Sequence, residues 1–239
     1  MWDDAASLRT TANLLFTAAA IVALYCAGHY FVHLPIFPLR EIQVTGEAAH
    51  LTREQVQAVI ARELRGNFFT VDLAQVRAGF EKLPWVRKVN VRRYWPDRLE
   101  VMMEEHRPLA RWGSTALVNA QGEVFEAAIN STLPVFIGPD EMAAEVVGRY
   151  AEFERMVAPM ERKIAQIRVS PRRAWQLKLD DGMVIELGRD NLDSRLAGFV
   201  SAYAKALDQL PPPPLHVDLR YSNGFAVKSP GLKWTPKKT

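Results

Sequence analysis

The chain has 239 residues, 49% hydrophobic and 24% charged, a balance that excludes a disordered tail and leaves room for one or two packed cores. Its 30 Lys and Arg exceed its 27 Asp and Glu by a net charge of only +3, spread along the sequence, so no polyanionic partner such as nucleic acid is implied. The single cysteine, Cys26, excludes an intrachain disulfide and a cysteine-built zinc site, which leaves the fold to be held by its apolar core.

From Leu14 to Val32 the sequence carries no formal charge over about 19 residues. At ~1.5 Å per residue such a helix matches the ~30 Å hydrocarbon core of a bilayer. His29 lies near the end of the run, where it reaches the interface with Tyr25, Tyr30 and His33. A cleaved signal peptide has a shorter apolar region of roughly 7–15 residues, and a lipoprotein signal has a small residue where Tyr25 precedes Cys26. A buried core helix would show a polar face, and none appears. A single transmembrane helix over 14–33 is therefore expected, after a short cytoplasmic tail over 1–13. Asp3, Asp4 and Arg9 give that tail no positive excess, so orientation rests on architecture: one apolar segment before one large folded part exports that part, a single-pass type II arrangement.

Pro35 and Pro38 end the helix. Leu39 to Val44 alternates like a half-buried strand and stops at Thr45-Gly46. Thr52 and Gln55 form a capping box that opens a helix with Val56, Val59, Ile60 and Leu64 on one face, closed by Gly66. A second helix from Asp72 to Lys82 carries Leu73, Val76 and Phe80. Two strands follow, with Val86, Val89 and Val91 in the first, Leu99, Val101 and Met103 in the second, and Trp95-Pro96-Asp97 turning between them.

This strand-helix-helix-strand-strand unit directly after a membrane anchor resembles a POTRA domain. Phe37-Pro38-Leu39-Arg40-Glu41-Ile42-Gln43-Val44-Thr45-Gly46, Leu83-Pro84-Trp85-Val86 and Tyr94-Trp95-Pro96-Asp97-Arg98-Leu99 resemble the bacterial FtsQ/DivIB division family, over nearly the whole chain. The resemblance implies an α+β protein: an N-terminal transmembrane helix, a POTRA domain over 38–107, a mostly antiparallel β domain with flanking helices over 108–229, and a C-terminal tail over 230–239.

The second half reads accordingly. Ala110-Arg111-Trp112 precedes a hairpin from Leu117 to Phe125 that turns at Asn119 to Gly122, and Leu133 to Gly138 reads as a further strand. Ala143 to Val157 reads as a helix. Ile164 to Val169, Trp175 to Leu179 and Met183 to Leu187 alternate, the last two around Asp181-Gly182. A helix from about Leu192 to Leu210 precedes Pro211 to Pro214, and the last strands run over Val217 to Tyr221 and Phe225 to Lys228.

No catalytic constellation emerges. His29, His33, His50, His106 and His216 lie in separate contexts without ligand spacing, so neither a metal nor a cofactor is expected. Ser114 reads as a turn residue and not a nucleophile elbow. Glu104-Glu105-His106-Arg107-Pro108 reads as a solvated strand end, since neighbours on a strand face opposite ways. Arg87, Lys88, Arg92 and Arg93 beside Tyr94 and Trp95 read as a strand with one wet face, lipid headgroups being a secondary reading. Function without chemistry must come from surfaces, and an open sheet edge accepts a partner strand.

In the resembled family the last strand region receives FtsB, which carries FtsL, and the resemblance places this contact on Arg220-Tyr221-Ser222-Asn223-Gly224-Phe225. Tyr221 is the expected anchor, and Arg220 with Arg195 from the preceding helix are candidates for acidic groups of the partner; Phe225 reads equally as core. Many relatives carry a tryptophan where this chain has Ser229-Pro230, a role open to Trp234. The resemblance also implies other divisome partners at the POTRA domain and a place in the inner membrane at the septum. The alternatives are a POTRA-containing outer-membrane assembly or secretion component, which needs a β-barrel that the remaining length does not supply, and a membrane-anchored cell-wall enzyme.

Overall fold

The computed structural model describes residues 5–46, 49–203, 214–221 and 224–229. Helix α1 (Ala5–Val32) is exposed along its apolar length, and its stretch Leu8–Val32 is the one helix among the described residues long and apolar enough to cross a membrane. The chain divides into two compact units, Met1–Glu105 and His106–Thr239.

In the first unit, β1 (Glu41–Gly46), α2 (Arg53–Glu63), α3 (Leu73–Glu81), β2 (Val86–Tyr94) and β3 (Arg98–Glu105) follow in the expected order. Both helices start where their side chains satisfy unpaired backbone donors. Thr52 and Gln55 form the reciprocal capping box of α2, and Asp72 accepts from the N–H groups of Ala74 and Gln75 at the start of α3. The sheet order is β1-β3-β2, with β3 parallel to β1 and antiparallel to β2. The Trp95-Pro96 bond in the β2–β3 turn is cis. Leu99, Val101 and Met103 alternate inward from the central strand β3 onto Val59, Val76 and Phe80 of the helices.

The same alternation carries Glu105 inward, against the expectation of a solvated strand end. Its side chain is 6% exposed and accepts from the His50 N–H at 3.1 Å, with His50 Nδ1 also at 3.1 Å. His50 in turn stacks on Trp85 at 3.9 Å between ring centres. Glu104, on the other face, pairs with Arg87 at 2.6 Å, so part of the basic β2 stripe is matched within the chain.

The second unit is a nine-stranded sheet in the order β12-β11-β10-β9-β8-β7-β4-β5-β6. Its strands are β4 (Pro108–Trp112), β5 (Ala116–Asn119), β6 (Val124–Phe125), β7 (Val135–Ile137), β8 (Ile164–Val169), β9 (Trp175–Leu179), β10 (Val184–Gly188), β11 (His216–Asp218) and β12 (Ala226–Lys228). Five of the eight pairings are antiparallel; β4–β7, β7–β8 and β10–β11 are parallel. Helix α4 (Ala143–Val157) packs on β8 and helix α5 (Leu192–Ala202) on β10, and the two helices touch. Phe136, Phe153, Leu177, Ile185 and Phe199 fill the core between them, each 0–1% exposed. Asn119, fully buried, builds the β5–β6 turn: its Oδ1 accepts from the N–H groups of Gln121 and Glu123 at 3.0 and 2.9 Å. Ser114 lies in a turn, as expected.

At the C-terminal end one expectation falls partly outside the described residues and another changes. Helix α5 is followed to Tyr203, and the residues after it that were expected to extend the helix lie outside the described ones. The strand expected over Val217 to Tyr221 runs over His216–Asp218 instead. The Asp218 side chain folds back onto the next turn of chain, accepting from the Arg220 N–H at 3.0 Å, and this local bond competes with the ladder.

Candidate functional site

Among the described residues, strand β12 is the terminal strand of the sheet, paired on one side only, with β11. The Lys228 carbonyl accepts from the Leu215 N–H at 3.0 Å and so faces inward. Because backbone groups alternate along a strand, the N–H and C=O of Val227 face the open side. Among the described residues this edge is short and carries no further strand, the kind of surface that accepts one.

Beside it lies a cleft of about 360 Å³, walled on one side by Arg195, Gly198 and Phe199 of α5 and on the other by Leu219, Tyr221 and Phe225. Tyr221 is 60% exposed. Phe225 is 37% exposed, and its ring meets the buried Phe199 edge-on at 5.6 Å, so it belongs to the surface and the core at once. An aromatic pair of this kind gives the cleft an apolar floor continuous with the interior.

The two arginines singled out in the sequence come together around Gly188, at the end of β10. A Cβ there would lie 2.9 Å from Arg195 Nη1 and 3.2 Å from Arg220 Cγ, and the residue has φ +82°, a backbone conformation that favours glycine. Arg195 is half-buried and donates to the Leu187 carbonyl at 2.8 Å. Arg220 is exposed and grips Asp218 with two parallel bonds, Nε to Oδ1 at 2.8 Å and Nη2 to Oδ2 at 2.6 Å. The Arg220 hydrogen bonds hold the Asp218 carboxyl below the usual carboxylate range. A depressed folded-state pKa contributes stability above the unfolded value, lost as pH falls through the folded one, so this fork is intact at neutral pH and opens only in acid. Arg220 thus reaches any partner already matched by the Asp218 carboxylate, and its bidentate face is occupied. Gly224 borders the same cleft; Ser222 and Asn223 lie outside the described residues.

Sequence reasoning missed three members of this arrangement: Phe199 as the floor, Asp218 as the partner of Arg220, and Gly188 as the crossing point. The Asp218-Leu219-Arg220 spacing was the available signal, since residues two apart on extended chain share a face. Among the described residues no three His, Cys, Asp or Glu side chains come together as a metal site.

Comparison with known proteins decides the family. Residues 37–106 match the model "POTRA domain, FtsQ-type" and residues 110–220 match "Cell division protein FtsQ/DivIB, C-terminal". The chain belongs to the FtsQ/DivIB family of cell division proteins. It is 43% identical over 233 residues to the cell division protein FtsQ of Nitrosospira multiformis, covering 95% of this chain and 99% of that one. It is 38% identical to the FtsQ of Burkholderia pseudomallei, covering 98% and 96%, and 32% identical to that of Coxiella burnetii, covering 93% and 94%. Helix α1, the POTRA region and the mostly antiparallel sheet with its helices are the α+β arrangement expected of FtsQ. The C-terminal family model ends at Arg220, so Tyr221, Phe225 and β12 lie just beyond the matched region.

Proposed function

We propose that this protein is a non-enzymatic scaffold of the divisome. Helix α1 anchors it in the inner membrane with the N-terminal tail in the cytoplasm, and both folded units work in the periplasm at the septum. Strand β12 receives a strand of an FtsB-like partner, which brings an FtsL-like protein with it, and the POTRA unit meets other division proteins. The observation that carries this reading is the open edge of β12 lying beside an apolar cleft floored by Phe199 and Phe225. Backbone bonds along β12 supply register, and a side chain of the added strand enters the cleft. Tyr221 supplies stiff contact area with a polar tip, and Arg195 places positive charge at the rim, while Arg220 is held against Asp218.

Val227→Pro tests the edge directly. Proline removes one outward N–H and crowds the open side while leaving the inward bonds of Ala226 and Lys228 in place, a position that edge strands tolerate. The full-length chain carrying this change is expected to keep its fold, with a small loss of stability because the partly buried Val227 side chain packs on the core, and to bind a peptide from the C-terminal region of the FtsB-like partner at least about tenfold more weakly, roughly 1.4 kcal/mol. Equal binding by both forms, measured by titration calorimetry, contradicts strand addition at β12.

A further inference from the structure

The carbonyls at the end of α1 do not simply face solvent. Asn67, which is 8% exposed and lies in the loop between α2 and α3, donates from Nδ2 to the Val32 carbonyl at 2.7 Å and to the Leu34 carbonyl at 3.0 Å. The last carbonyls of any helix lack intrahelical partners, and a membrane helix delivers them to the boundary where water thins out. A side chain of the POTRA unit therefore caps the end of α1.

The loop that presents Asn67 is itself built. Asn67 Oδ1 accepts from the N–H groups of Phe69 and Thr70 and from the Thr70 hydroxyl, each at 3.0 Å. Gly66, at φ +103°, leaves no room for a Cβ, which would lie 2.6 Å from Thr70 Oγ1. Arg93 of β2 donates to the Phe69 and Val71 carbonyls at 3.3 and 2.6 Å, and the Phe68 N–H donates to the Phe37 carbonyl at 2.9 Å. Phe31, Phe37 and Phe69 run edge to face at 5.4 and 4.9 Å from the helix end to this loop.

The outer side of the same place is apolar and exposed: Phe31 54%, Ile36 60% and Phe69 41%. The occupant follows from continuity with α1. Twenty-five residues at ~1.5 Å per residue make about 37 Å, longer than the ~30 Å hydrocarbon core, so the last turns and the loop beside them stand at headgroup depth. Aromatic side chains are favoured there. We propose that Phe31, Ile36 and Phe69 form a seat in the headgroup layer, and that Asn67 clasps the end of α1 so that the POTRA unit stands on the bilayer in a fixed pose instead of swinging on a tether. This rests on the reading of α1 as the membrane anchor.

The test uses the full chain with Cys26→Ser, reconstituted in vesicles of phosphatidylethanolamine and phosphatidylglycerol. A bimane probe is placed at Arg65→Cys, exposed beside the loop, and in a separate sample at Phe16→Cys within α1. Nitroxide on the lipid headgroup is expected to quench the Arg65 probe, and Asn67→Asp and Phe69→Glu are each expected to lose that quenching. Asn67→Asp keeps the oxygen that orders the loop, removes the donor to Val32 and Leu34, and puts a negative charge at a helix C-terminus. Near-ultraviolet circular dichroism unchanged from the parent shows that the unit is still folded. An Arg65 probe unquenched in the parent, with the Phe16 probe quenched by acyl-chain nitroxide, overturns the seat and leaves the anchor standing. Quenching retained in Asn67→Asp overturns the clasp. A Phe16 probe that no lipid nitroxide quenches overturns the anchor, and this inference with it.

Discussion

Phe199→Ala is expected to lower the stability of the C-terminal unit by about 3–5 kcal/mol, the usual cost of emptying a buried phenylalanine site. Phe199 is 1% exposed on α5, touches Tyr203 and Phe225 with its ring, and forms the floor of the cleft. The cavity left behind opens between α5 and the chain leading to β12, so partner binding is expected to fall together with stability. Phe199→Leu separates the two effects. It restores most of the volume, at a cost expected to stay within about 1.5 kcal/mol, but not the edge-to-face contact that fixes Phe225. Urea unfolding of the full chain, followed by near-ultraviolet circular dichroism, measures both variants. A loss below about 1 kcal/mol for the alanine contradicts the packing described here.

Tyr221→Ala is expected to weaken binding of the FtsB-like peptide by about 30-fold, or ~2 kcal/mol, without changing the unfolding curve. The asymmetry follows from burial: a side chain that is 60% exposed contributes little to the folded state alone. It has apolar surface to lose to a partner, beside a cleft that already presents Phe225. Arg220→Ala is expected to cost less, because Arg220 is engaged with Asp218 in the free protein and part of its charge is already matched. Peptide titrations of the two variants side by side decide the order. Tyr221→Ala binding as well as the parent removes tyrosine from the interface.

Local signals located the helices of the first unit closely, because their starts depend on side chains next to them in sequence. The Thr52–Gln55 box and the Asp72 cap are examples, and both act as expected. The Ala143–Val157 helix was equally plain from its periodicity. Glu105 carries a charge yet keeps the inward phase of its strand. Counting inward positions from Leu99 in steps of two reaches Glu105, and only the fold shows that His50, 55 residues earlier, is there to meet it. The same holds for Asn67 and Val32, partners 35 residues apart that no local pattern connects. At the candidate site the exposed residues were legible from family resemblance and residue type. Its supports were not, since Phe199 reads as any apolar helix position and Gly188 as any strand end until two arginines are seen to cross there.

The most direct test of the central claim is amide hydrogen exchange of the full-length chain with and without the FtsB-like peptide, read at β12. Added-strand pairing at this edge predicts that the outward-facing Val227 amide, fast in the free protein, becomes protected when the peptide is bound. Saturating binding with Val227 exchange unchanged would place the partner elsewhere on the molecule and contradict the account.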